Sequence, residues 1–308
     1  MALNVSPITH VRYVAHAVPE YKAALEFYGG IFGLRTVESA TDIAFLAAEG
    51  SSEPFALRLR KAQDKHLDLI SLAVADTATV DRLAGEFIEA GVRIDREPGR
   101  LDIPGAGYGF RSFDPDGRLV EISADVTPRV ARELDEGESI PVRISHIVIN
   151  SPNLDATKKF YEDRLGFVLR DWLADFMCFL QIGVDHHVLA ITSAPHVSFN
   201  HVSFEMRGLD EYMRGTGRLT RNGIPPVWGP GRHGPGNNTF SYFVDPASNV
   251  AEYTHGLQQI PDPESYPVKT WDPSPEESDL WGTGGPFEEY LPYALGSPDP
   301  LIWTPSPV

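Results

Sequence analysis

Between Val227 and Tyr253 the chain carries three side chains able to bind a metal or move a proton. A loop reading Gly-Pro-Gly-Arg-His-Gly holds His233, an aromatic strand holds Tyr242, and after an Asp245-Pro246 turn a second strand holds Glu252. Imidazole, phenol and carboxylate together offer donors, acceptors and metal-ligating lone pairs. Tyr242 lies ten residues before Glu252, so regular pairing of the two strands would put both on one face. Further histidines open two distant alternating segments, His146 in Ser-His-Ile-Val-Ile-Asn and His201 in His-Val-Ser-Phe-Glu-Met. A pair, His186-His187, precedes Val-Leu-Ala. A single histidine on a strand is usually a packed or surface residue, so these gain meaning only if the fold brings them together. His196 and His255 read as structural. Cys178, inside Phe-Met-Cys-Phe-Leu, reads as packing rather than chemistry.

An internal repeat supplies the elements that position these groups. Thr9-His10-Val-Arg-Tyr-Val, with Phe27-Tyr28 and Gly33 downstream, parallels Ser145-His146-Ile-Val-Ile-Asn, with Phe160-Tyr161 and Gly166. Asp114 and Glu121 recur as Asp245 and Glu252 at a common offset. Each unit opens with an alternating apolar strand and continues into a helix whose apolar positions recur at helical spacing, Tyr21, Ala24, Leu25 and Tyr28 in one and Leu154, Thr157, Phe160 and Tyr161 in the other. Gly33 and Gly166 suit the helix ends. Residues 55–59 and 176–182 read as strands, 69–74 and 201–206 as the openings of second units, and 80–90 and 209–222 as their helices. The terminal hairpins fall at 108–122 and 239–254. The fold class is therefore α+β, four βαβββ modules paired into two domains. Residues 1–125 and 142–255 form the domains, 126–141 a polar linker with a short helix over 128–134, and 256–308 a C-terminal arm. That arm holds eleven prolines, the aromatics Tyr266, Trp271, Trp281, Phe287, Tyr290, Tyr293 and Trp303, and nine acids against Lys269 alone. Spaced aromatics among prolines suggest an extended segment that packs on the folded body, over a site or a neighbouring subunit.

Composition narrows the function. A hydrophobic content of 42% supports a globular core. A formal net charge of −17 would be repelled by nucleic acid and by anionic membranes. No apolar run is long enough to span a bilayer, and the first residues lack a signal-peptide pattern. A single cysteine excludes an internal disulfide framework and fits a reducing, cytoplasmic setting.

The repeated modules, the Gly-Pro-Gly-Arg-His-Gly loop, Tyr-Phe-Val-Asp-Pro and Glu252 resemble the vicinal oxygen chelate superfamily, and within it the type I extradiol catechol dioxygenases. The resemblance covers about residues 6–256, and Trp271 with Asp279-Leu-Trp-Gly resembles the C-terminal lid of those enzymes. It implies a metal held by His146, His201 and Glu252, Fe(II) or Mn(II), with O2 as co-substrate. Two histidines and one carboxylate leave three positions open, two for vicinal diol oxygens and one for O2. It implies His187 as the acid–base residue, with His186 as the competing choice on the opposite strand face. It implies His233 and Tyr242 as groups that contact substrate and assist the reaction. It also implies a homo-oligomer, a dimer or tetramer, and a first domain that has lost its metal. His10 and Glu121 match His146 and Glu252, but Leu69 stands where His201 does.

Trp228 stands where an arginine for a substrate carboxylate would be sought, and the arm from 256 has no arginine. The ring substituent should therefore be neutral or apolar, with Arg232 the one exception to weigh. Two alternatives use the same modules, a glyoxalase-like metal-dependent isomerase and a non-catalytic small-molecule-binding protein. The first would need a second acidic ligand or base where this chain has histidine, and the second would typically lack the ligand triad.

Overall fold

The computed structural model describes residues 6–300, so Trp303 lies outside the described residues. The first half forms β1 (Ile8–Val18), α1 (Tyr21–Glu26), β2 (Arg35–Ser39), β3 (Ile43–Ala47), β4 (Leu57–Lys61), β5 (His66–Val74), α2 (Thr77–Glu89), β6 (Ile94–Arg100), β7 (Tyr108–Phe113) and β8 (Leu119–Ala124). The second half repeats the order with β9 (Arg143–Ser151), α3 (Leu154–Leu165), β10 (Val168–Leu173), β11 (Met177–Gln181), β12 (Leu189–Ser193), β13 (Ser198–Glu205), α4 (Leu209–Arg221), β14 (Trp228–Arg232), β15 (Thr239–Val244) and β16 (Val250–His255). Four βαβββ units thus build two sheets, ordered β2-β3-β4-β1-β5-β8-β7-β6 and β14-β15-β16-β13-β9-β12-β11-β10. In each sheet the opening strands of the two modules pair antiparallel at the centre. Each sheet packs its helices on one face, and the joint core includes Tyr28, Phe32, Phe87, Phe160, Phe204 and Tyr253. The other face curves into a cup.

The helices start and stop for local reasons. The Asp76 side chain accepts from the Thr79 N–H and caps α2, and Asn153 caps α3 through the Ala156 N–H. Gly166 ends α3 in the left-handed region at φ 70°. The first helix is shorter than its spacing suggests, because after Glu26 the chain widens into a π-turn over Phe27–Ile31 before Gly33.

Two expectations fail. Residues 128–134 form no helix. They follow an irregular path, with the Thr127, Arg129 and Arg132 N–H groups bonded to the carbonyls of Gly105, Ser52 and Glu49. The Arg129 guanidinium adds bonds to the Ala48 and Ser51 carbonyls. These backbone partners on the first domain outweigh the modest helix propensity of the segment. The repeat register also shifts. His146 lies opposite Ser203, which pairs with Glu252; in the first sheet Ser71 pairs with Glu121 and lies opposite Tyr13. The counterpart of His146 is therefore Tyr13. His10 sits three residues earlier, partly exposed, with its Nε2 on Glu53 at 2.8 Å.

The arm wraps the second sheet. Its strand β17 (Lys269–Trp271) adds parallel to β10, and short helices α5 (Pro275–Ser278) and α6 (Leu291–Leu295) follow. Among the described residues no helix is long and apolar enough to cross a membrane.

Candidate functional site

The inner wall of the second cup gathers His146 from β9, His201 from β13 and Glu252 from β16. One ligand atom from each lies within 4.8 Å of the others, and all three residues are buried. The Glu252 carboxylate lies 3.0 Å from His146 Nε2 and 3.4 Å from His201 Nε2. These approaches lack hydrogen-bond geometry. His201 Nε2 and both Glu252 oxygens are buried polar atoms without a partner. Such orphaned atoms are rare in a folded interior because each forfeits its hydration. Converging lone pairs of two imidazoles and a carboxylate fit a divalent cation, so the donor set suits the group that the sequence implies. Burial pushes the Glu252 carboxyl upward, but His146 and His201 outweigh it and hold its pKa far below the usual carboxylate range. Burial, against the pull of Glu252, lowers the His201 pKa and favours the neutral imidazole that a metal needs.

Both histidines are oriented from behind. His201 Nδ1 lies 2.8 Å from Asn200 Oδ1, and His146 Nδ1 lies 3.2 Å from Ser145 Oγ. Each ring thus turns Nε2 toward the cluster, as ligating histidines do when their second nitrogen is held.

Around the cluster stand the other residues singled out above. His187 packs its ring 4.5 Å from that of His146. His186 and His187 are not on a strand; they occupy the turn before β12, with rings nearly perpendicular. Strand alternation therefore does not apply to this pair. His186 points away from the cluster to Asp171 at 3.0 Å, and its Nδ1 faces His187 Nδ1 at 3.0 Å. Asp171 can only accept from His186 Nε2–H, which aims His186 Nδ1 at His187. Burial first, then the neighbouring imidazoles, drive the His187 pKa well below normal and keep it neutral.

Tyr242 lies directly opposite Glu252 in the β15–β16 hairpin. Its hydroxyl is 2.8 Å from His233 Nε2, while His233 Nδ1 donates to the Ser278 carbonyl at 3.0 Å. Burial pushes the His233 pKa down to about 4, so the ring is neutral near pH 7 and accepts at Nε2. Tyr242 must then donate to His233 and present oxygen lone pairs to the cavity. Trp228 stacks on Tyr242 at 5.5 Å and 9°.

The arm closes the cup, and the glycine-rich loop makes room for it. A Cβ on Gly234 would collide with the Glu277 carbonyl and with the Trp271 ring at 2.8 Å. Asp279 ties the arm to the loop, accepting from the N–H groups of Arg232 at 3.0 Å, Trp281 at 3.1 Å and Gly284 at 2.7 Å. The cavity measures about 740 Å3. Besides the site residues it is lined by apolar side chains of the sheet, among them Phe176, Met177 and Phe179, and of the arm, among them Phe287 and Leu291. Among the described residues its lining contains no lysine or arginine. Arg232 turns aside, bonding Asn237 at 2.8 Å and facing the Trp281 ring.

Three residues that contact these histidines carry no distinguishing signal in the sequence. Asp171 and Asn200 act through histidines and sit in unremarkable strands. Tyr290 was one of seven arm aromatics with nothing to single it out. His196 and His255 bond the backbone carbonyls of Leu295 and Met206, outside the cluster. Cys178 is fully buried, its thiol pushed up to about 12 by desolvation.

Comparison with known proteins agrees with this architecture. A metapyrocatechase 2 from Cupriavidus necator is 24% identical over 93% of this chain and 94% of its own length. The Mn(II)-bound glyoxalase from Novosphingobium aromaticivorans superposes with a TM-score of 0.92 at 42% identity, covering 97% of this chain and 99% of that one. Homoprotocatechuate 2,3-dioxygenase from Arthrobacter globiformis shares the fold at TM-score 0.83 and 23% identity, with 97% of each chain covered. The family profile matches twice, over residues 10–122 and 143–253, once for each sheet, and by that double match the chain belongs to the glyoxalase/bleomycin resistance protein/dioxygenase superfamily.

Proposed function

We propose that the protein is an extradiol dioxygenase that opens a catechol-type ring with O2 at a mononuclear metal held by His146, His201 and Glu252. One observation carries the proposal: His201 Nε2 and both Glu252 oxygens are buried without partners in a cluster with His146, and the two histidines of that cluster line one cavity with His187, His233 and Tyr242. Bound Fe(II) or Mn(II) would supply adjacent positions for both diol oxygens and for O2, removing the entropic cost of their encounter.

The chain's own groups supply the rest. His187, kept neutral by burial, offers an unprotonated ring nitrogen as base for a diol proton and returns that proton later in the reaction. Tyr242, its proton committed to His233, accepts a hydrogen bond from the remaining diol hydroxyl. His233 holds Tyr242 in that orientation, itself fixed by the Ser278 carbonyl. Trp228 and the arm exclude water from the cavity. The product is the ring-opened compound carrying both oxygen atoms.

The cavity also suggests the substituent. About 740 Å3 falls in the range of roughly 300–1,000 Å3 that encloses drug-sized ligands. The charged side chains other than histidine in the wall are Asp279 and Glu288, so a carboxylate would meet repulsion and no cation. The substrate is accordingly a catechol with an uncharged, apolar substituent.

A second reading has its own support, since the 42% identical structure is that of a Mn(II)-bound glyoxalase. Against it, the ligand cluster holds a single carboxylate. Protein loaded separately with Fe(II) and Mn(II) decides the matter. Given catechol, an alkyl- or aryl-catechol and a carboxylated catechol in air, it should form a yellow ring-fission product, with kcat/KM highest for the apolar compound. His201→Ala should lose both metal and colour. Turnover of a methylglyoxal–glutathione adduct without ring fission would overturn the dioxygenase reading; a preference for the acid would overturn the substituent alone.

A further inference from the structure

We infer that Tyr290 of the C-terminal arm is a positioning residue for the metal ligand His201, so that arm docking and metal retention are coupled. The inference rests on the metal reading above, but not on the reaction that follows from it.

Hydrogen bonds hold the His201 ring from behind. Its Nδ1 faces two oxygens, Asn200 Oδ1 at 2.8 Å and the Tyr290 hydroxyl at 3.1 Å. Tyr290 in turn donates to Asn200 Oδ1 at 2.7 Å. With that proton assigned, the Tyr290 oxygen is free to accept from His201 Nδ1–H. Asn200 Nδ2 donates to Asn150 Oδ1 at 3.1 Å, and Asn150 Nδ2 donates to the carbonyls of Ala294 at 2.7 Å and Leu295 at 3.3 Å, at the end of α6. Ser198 Oγ bonds the Leu295 carbonyl at 2.7 Å. The bonds close a circuit that leaves the ligand strand β13, crosses β9, enters α6 and returns through Tyr290 to His201. These bonds orient both asparagine amides and favour the His201 tautomer with Nε2 free for metal.

Packing reinforces the circuit. Tyr290 is buried and stacks on Tyr242 at 4.5 Å and on Trp228 at 5.7 Å. A docked arm thus holds both the ring orientation of His201 and the aromatic wall that shields it. Groups that orient a metal ligand typically change metal affinity about 10–100-fold when removed. Coupling is reciprocal, so metal binding must favour the docked arm by the factor that the docked arm contributes to metal binding.

The test uses the full chain and Mn(II) alone, without substrate. Tyr290→Phe keeps the ring and its stacking but removes the hydroxyl. The Mn(II) Kd should rise roughly tenfold or more, and release to a chelator should quicken, while the Tm of the metal-free protein stays close to wild type. Asn150→Ala, which touches no ligand, should move the Kd in the same direction and speed proteolytic cutting within the arm. In the wild type, Mn(II) should slow that cutting. An unchanged Kd in Tyr290→Phe, or arm cutting indifferent to Mn(II), would overturn the inference alone. A wild-type chain that takes up no metal would overturn the inference and the metal reading together.

Discussion

The two cups share a backbone plan and differ at nearly every position that could do chemistry. Strand pairing sets Glu121 where Glu252 stands, Tyr13 where His146 stands and Leu69 where His201 stands. By the same register Phe55 replaces His187, Arg111 replaces Tyr242 and Leu101 replaces His233. Even the spacing survives, since the Phe55 ring lies 4.4 Å from Tyr13 much as His187 lies 4.5 Å from His146. The fate of the buried glutamate separates them. Glu121 accepts from Tyr13 at 2.9 Å, Ser71 at 3.0 Å and Arg111 at 2.9 Å, whereas Glu252 has no hydrogen-bond donor. A buried carboxylate must be compensated. The first cup does so with its own side chains and fills the remaining space with Phe45, Phe55 and Phe113. The second leaves its carboxylate oxygens without a side-chain partner, the difference on which the proposed metal site rests.

The largest predicted effect comes from exchanging residues between cups. His201→Leu gives the second cup the residue of the first and should cost more metal affinity than the roughly 10–100-fold typical of outer-shell changes, measured by Mn(II) titration. Its mirror, Tyr13→His with Leu69→His, should create no second site, because Arg111 and Ser71 still occupy Glu121. A second equivalent of bound Mn(II) per chain would break the comparison.

Stability should respond in the opposite sense. Arg111→Ala strands Glu121 in the core and should cost about 3 kcal/mol in denaturant unfolding, the low end for breaking a buried pair because the arginine is partly exposed. Tyr242→Phe at the equivalent position removes one hydroxyl and should cost only about 1 kcal/mol. Equal losses would show that the second cup is as self-sufficient as the first.

The smallest effect concerns the seam between the halves. Asp299 donates its N–H to the Val197 carbonyl of the second half, and its Oδ1 accepts from the Leu67 N–H of the first. Burial raises its pKa from 3.8 to about 6. A carboxyl with a raised folded-state pKa adds stability that is full below about pH 4 and disappears as pH rises through about 6. The group is only part-buried, so the change should be about 1 kcal/mol. Asp299→Asn should flatten the Tm profile between pH 4 and 7 and raise Tm at pH 7 relative to wild type.

Much of this arrangement was legible in the chain. Alternating strands, helix caps and the repeated Asp-Pro and Glu positions specify four modules and two cups, because periodicity and turn chemistry are local properties. The Tyr242–Glu252 pairing follows from hairpin spacing. Other features depended on partners far away in sequence. His10 and His146 share a local motif, yet only strand pairing reveals that Tyr13 is the true counterpart, since register is a property of two strands and not of one. Residues 128–134 have no helical fate or extended fate of their own; the carbonyls of Ser52 and Glu49 decide it. The glycine-rich loop announced itself by composition, but its reason, the close passage of Trp271 and Glu277, appears only when the arm is in place. Tyr290 reaches His201 across 89 residues, and Asp171 reaches His187 through His186. The sequence by itself determined which groups could bind a metal. The tertiary structure alone decided which cup leaves its carboxylate unsatisfied, because hydrogen-bond satisfaction depends on every neighbour in space.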